Sequence, residues 1–147
     1  MSKLFYVFFI LATIGILDAG YLTYEHYIHA IPPCSLHAFL ADCGSVLTSK
    51  YATLFGIPIA LFGVLYYLSL LITVTMIVLQ PHKLLSIAVL TFATIGALTS
   101  LSFVLLQIFV LHAICVYCMT SDTISIILFG LIWYMHKASH FSPQPTE

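Results

Sequence analysis

The chain has 147 residues, 62% of them hydrophobic and 6% charged, with a formal net charge of −1. Soluble domains carry about 25% charged residues, so this composition cannot cover a water-facing surface and excludes a soluble globule. The near-neutral charge also excludes a nucleic-acid or other polyanion partner. A mean hydropathy of +1.13 marks an integral membrane protein, and the length fits one domain over residues 1–147. Apolar stretches at about 4–24, 54–79, 84–111 and 115–135 each approach or exceed the roughly 20 residues that a helix needs to cross a bilayer. The expected fold is therefore all-α, a bundle of four transmembrane helices.

The first stretch begins just after Lys3 and contains Asp18, a carboxylate whose cost inside a span makes it a functional candidate. A cleaved signal peptide is the alternative, but the stretch is long for one and lacks a clean small-x-small cleavage site. Residues 25–53 form the one substantial loop, which holds Pro32, Pro33, Cys34 and Cys43. Pro81 stops the second span, and the third and fourth are separated by the three residues 112–114. Gly56 and Gly63, two helical turns apart, suit close packing between helices. In this four-span arrangement Lys3, Lys83 and Lys137 fall on one side and Lys50 on the other. The positive-inside rule then puts both termini in the cytoplasm and the long loop outside. All four cysteines land on that outer side, the oxidising face of a bacterial inner membrane or of the endoplasmic reticulum.

The cysteines occur as two pairs, Cys34 with Cys43 and Cys115 with Cys118. Cys115 and Cys118 are three apart, so on a helix they share one face. At the start of the last span, free N–H groups and the helix dipole favour a thiolate, next to apolar space where a lipid-soluble electron acceptor docks. Two small residues packing between helices is the plainer reading of that pair. Cys34 and Cys43 are close enough in sequence for a local disulfide, and a structural staple is the plainer reading there. A zinc site built from all four is disfavoured, because only one pair has the close spacing that structural zinc sites use twice. Asp122, one turn into the last helix, shares the Cys118 face. His26, His29, His37 and His112 fall on the outer side and are possible proton carriers, with no metal-ligand spacing.

Cys34 and Cys43, then Val46, Ser49, Phe55-Gly56-Ile57-Pro58, Gly63 and Tyr66, and finally Cys115-Val116-Tyr117-Cys118 with Thr120, resemble the vitamin K epoxide reductase family. The Phe-Gly-Ile-Pro stretch is more similar to the bacterial, protein-thiol-oxidising branch. The resemblance implies four helices around a quinone of the ubiquinone, menaquinone or vitamin K type. It implies that Cys118 faces the quinone with Cys115 as its partner, and that Cys43 exchanges with Cys115. Cys34 would be presented to a thioredoxin-fold dithiol protein, and Ser49 matches a loop residue associated with activity. Cys118, Phe55, Ala52 and Asp122 are the residues it places near the quinone. Ala52 and Asp122 stand where vertebrate members have Asn and Tyr, which speaks against epoxide reduction, the alternative activity of this scaffold. The chain ends at Glu147 without a thioredoxin-like domain, so the partner is expected to be a separate protein on the outer side. A membrane scaffold with structural disulfides or a metal is the non-enzymatic alternative.

Overall fold

The computed structural model describes residues 3–30, 32 and 42–138. Cys34 and His37 lie outside the described residues. Four long apolar helices dominate: α1 (Lys3–Tyr27), α3 (Ile59–Leu79), α4 (Lys83–Leu106) and α5 (Val116–Lys137). Between α1 and α3 lie a short helix α2 (Cys43–Leu47) and the strands β1 (Thr53–Leu54) and β2 (Ile57–Pro58). A π-helical segment, Gln107–Leu111, extends α4, so that a continuous helical rod runs over Lys83–Leu111. All four rods are long and apolar enough to cross a membrane. With no water in the hydrocarbon core, a helix is the one open-chain form that satisfies its own backbone groups there.

The helices run up and down, each antiparallel to its neighbours. Across α1 and α3, Gly15 faces Tyr67 and Gly63 faces Ala19. Across α3 and α4, Tyr66 lies over Gly96. The Ser86 hydroxyl and His136 Nδ1 are 2.8 Å apart across α4 and α5, and the Tyr21 and Tyr117 rings meet across α1 and α5, centroids 5.4 Å apart. The ring of four helices closes on a core that includes Phe8, Tyr67, Leu70, Val74, Leu128 and Ile132. Large apolar side chains such as Ile10, Leu17, Leu98 and Trp133 point outward, as expected where the surrounding solvent is lipid.

One span boundary differs from the sequence expectation. Residues 54–58 are apolar enough to read as the start of the second span, yet they form a hairpin, with Thr53 paired to Pro58 and Leu54 to Ile57. Phe55 and Gly56 occupy its tip with φ of 53° and 80°. Two consecutive positive φ values make the tight turn whose twist matches the flanking strands, and glycine takes that conformation without strain. Gly56 thus serves a turn rather than helix packing, while Gly63 does pack against another helix.

The glycines that set helix separation are Gly15 and Gly96, beneath the rings of Tyr67 and Tyr66. A Cβ at position 15 would come within 2.7 Å of the Tyr67 ring. That ring is 2% exposed and its hydroxyl donates to the Ser121 carbonyl at 2.6 Å, so shifting it costs that bond. Gly15→Ala is expected to destabilise the bundle by about 1–3 kcal/mol, the usual cost of overpacking. Thermal unfolding in detergent checks this; an unchanged midpoint would show that α1 and α3 are not held at this contact.

Candidate redox site and cavity

The cysteine-bearing end of the bundle is assembled by the turn between α4 and α5. Residues 107–111 widen into a π-helix, a feature frequently found at functional sites, and His112 then reverses the chain with φ 48°. Gln107 holds this turn by three bonds, the first from the His112 N–H to its backbone carbonyl. Its backbone carbonyl also accepts the Ala113 N–H at 3.2 Å, and its side-chain Oε1 accepts the Cys115 N–H at 2.8 Å. Cys115 is the N-cap of α5, with its Sγ accepting the Cys118 N–H at 3.2 Å. Cys115 and Cys118 are joined as a disulfide, Cα atoms 5.2 Å apart.

The loop bearing Cys43 is tied to the same place. The Asp42 N–H donates to the Ile114 carbonyl at 3.0 Å, so the start of α2 lies against the residue before Cys115. Cys43 and Cys115, 1% and 0% exposed, share a small buried cluster with Val46 and Ala113, and no described cysteine is free. Asp42 caps α2 by accepting from the N–H and the hydroxyl of Ser45. Those bonds, first the hydroxyl, hold its carboxyl below the usual carboxylate range.

Beside Cys118 is a mainly apolar cavity of about 430 Å³, within the range of small-molecule sites. The structure brings Cys118, Ser49, Ala52 and Asp122 to its wall. Ser49 is turned by its own bond to the Val46 carbonyl, 2.7 Å. Asp122, 8% exposed, lies one turn beyond Cys118 and faces the Ser100 hydroxyl on α4. Cys43 and Cys115 stand behind Cys118 rather than on the wall. Phe55 is not brought here: it is 95% exposed at the hairpin tip. Asp18 faces Ser121, but its Oδ2 is buried with no hydrogen-bond partner among the described residues.

Two further wall residues were not among the expected site residues, although Tyr66 carried part of the family resemblance. Tyr66 accepts a bond from the Ser125 hydroxyl at 3.2 Å, and Gln107 is 2% exposed. The signal for Gln107 was available, because a carboxamide inside an apolar span needs a polar partner.

A pH dependence follows from Asp42. Its lowered pKa means that its contribution to the fold of α2 is complete above the ordinary carboxylate pKa. That contribution is lost as pH falls through the lower folded value. Amide hydrogen-exchange protection of residues 44–48 is expected to fall under strongly acidic conditions, and at neutral pH in Asp42→Ala. Equal protection in the variant would remove Asp42 from the positioning of Cys43.

A search among curated proteins finds no match. The sequence model of the Vitamin K epoxide reductase family matches residues 6–133, a stretch that takes in most of α1 and α5, all of α3 and α4, the cavity-lining residues and every cysteine. Members of that family are membrane proteins that in general couple thiol oxidoreduction to quinones. With most of its length matched and four membrane-spanning helices around a cysteine pair, the chain belongs to the vitamin K epoxide reductase family.

Proposed function

We propose that the protein is a quinone-dependent thiol oxidase that supports disulfide formation. Electrons pass from a separate thioredoxin-fold dithiol protein to Cys34 and Cys43, then to Cys115 and Cys118, and then to a membrane quinone. The observation that carries this reading is the division of labour around one disulfide. Cys118, at the partly buried edge of that cluster, also lines the apolar cavity, whereas its partner Cys115 is a fully buried member of the cluster with Cys43 and is off the cavity wall. One sulfur of the pair is therefore turned to a lipid-soluble acceptor and the other to the loop cysteine.

The chemistry balances without a further reactant. Thiolate attack of one pair on the disulfide of the next passes two electrons along the chain. The Cys115–Cys118 dithiol then gives two electrons and two protons to the quinone, which leaves as the quinol while the disulfide re-forms. Quinones are stronger oxidants than most protein dithiols, and each 30 mV of difference is worth about 1.4 kcal/mol in a two-electron couple. The apolar wall fits the ring, and Cys118 is the side chain that meets it. The α5 N-terminus, where Cys118 sits in the first turn, favours its thiolate.

The membrane arrangement agrees with an outward-facing redox end. Lys3, Lys83 and Lys137 lie at one end of the bundle, and Lys50 lies with Cys43, Cys115 and Cys118 at the other. In this reading the protein resides in a bacterial inner membrane with both termini cytoplasmic, by the positive-inside rule, and the partner is met on the periplasmic side.

With a reduced thioredoxin-fold protein as donor, the detergent-purified protein is expected to reduce ubiquinone or menaquinone, followed by quinone absorbance. Cys118→Ala is expected to abolish that reduction. No reduction of any quinone while the cysteines stay paired would return the disulfides to a structural role. The same variant leaves Cys115 without its neighbour, so peptide mapping under non-reducing conditions should recover a Cys43–Cys115 disulfide. Recovery of Cys115 solely as a free thiol would break the relay between the two pairs.

A further inference from the structure

The cavity beside Cys118 is mainly apolar, and most of its polar groups have already spent their protons. The hydroxyls of Ser49, Ser69 and Thr99 donate to the carbonyls of Val46, Leu65 and Ile95. Tyr67 donates to Ser121, and Ser125 to Tyr66. Among the wall side chains that keep an unspent proton, Gln107 is the most deeply buried, at 2% exposure. Its orientation is fixed by chemistry. A backbone N–H can only donate, so the atom 2.8 Å from the Cys115 nitrogen must be the amide oxygen. The Nε2 group, with two N–H donors, then has no hydrogen-bond partner among the described residues, on a side chain that lines the cavity.

A donor left unpartnered on a side chain this deeply placed is uncommon, and one that reaches the wall of a mainly apolar cavity points to a ligand with an acceptor. A quinone has two carbonyl oxygens that accept and cannot donate. We propose that Gln107 recognises the quinone: Nε2 donates to one carbonyl oxygen while Oε1 holds the Cys115 N–H. This rests on the quinone-dependent reading above. One carboxamide then registers the quinone against the backbone of the cysteine pair that reduces it, and the π-helical widening at 107–111 is what turns that side chain inward.

The sequence makes the test simple, because it contains no asparagine and three glutamines, Gln80, Gln107 and Gln144. The side-chain amide region of a ¹⁵N-glutamine-labelled sample in detergent should therefore hold three pairs of signals, assigned with Gln80→Ala and Gln144→Ala. Adding ubiquinone-1 or menaquinone-1 is expected to shift the Gln107 pair and leave the other two in place. Gln107→Met, close in shape but without the donor or the Oε1 acceptor that holds Cys115, is expected to raise the KM for quinone at least roughly three- to tenfold, the value of one neutral hydrogen bond. A wild-type protein that reduces quinone while the Gln107 signals stay fixed overturns the assignment and leaves the function standing, as does an unchanged KM in Gln107→Met. If Gln107→Met does not fold, the wild-type spectra decide alone. A wild-type protein that neither binds nor reduces either quinone removes both this inference and the reading beneath it.

Discussion

The chain must reverse direction between α4 and α5 while keeping Cys115 buried, and every backbone donor in that reversal needs an acceptor. Residues 112–114 are too few to form a solvated loop. The α5 N-terminus adds free N–H groups of its own, as every helix start does. Gln107 resolves much of this by accepting three of those N–H groups, those of His112 and Ala113 on its backbone carbonyl and that of Cys115 on its side chain. Leaving such a donor buried and unpaired costs about 1–3 kcal/mol. The π-helical segment, the left-handed His112 and the cap at Cys115 are the local geometry that this solution requires. The Asp42–Ile114 bond then ties the loop cysteine to the same fixed point.

The rest of the molecule supports this end at two levels. Near the cysteines, the tyrosines of α3 reach across to α5, Tyr67 to Ser121 and Tyr66 to Ser125. These bonds satisfy polar groups that lipid could not, and they close the floor of the cavity. Away from the cysteines, the packing is almost wholly aliphatic and aromatic, as suits helices associating by van der Waals contact where the hydrophobic effect between them is weak. The small residues Gly15, Ala19, Gly63 and Gly96 set the spacing in which the tyrosine rings fit.

Much of this was legible in the residues. The four spans follow from hydropathy alone, and their number fixes which turns share an end. That Cys43, Cys115 and Cys118 meet at one end follows from counting crossings. The first cysteine of the close pair is buried and the second reaches the cavity wall, a difference that the Cys-x-x-Cys spacing does not contain. The hairpin at β1 and β2 was hidden for a different reason. Leu54, Phe55, Ile57 and Pro58 are apolar, so a hydropathy reading runs them into α3, whereas the turn at Phe55-Gly56 is recognisable from its φ values.

The sequence by itself determined that this is a four-helix membrane protein with Cys43, Cys115 and Cys118 at one end. It could do so because the cost of placing a residue in lipid is local, summed along a segment without reference to any other. The tertiary structure alone decided that Gln107 turns toward Cys115, that Asp122 and Ala52 reach the cavity, that Phe55 does not, and that Tyr66 and Tyr67 lie over glycines. Those outcomes depend on the rotation of each helix about its axis and on the depth at which neighbours meet. Both are set by the simultaneous packing of all four helices, which no single segment encodes.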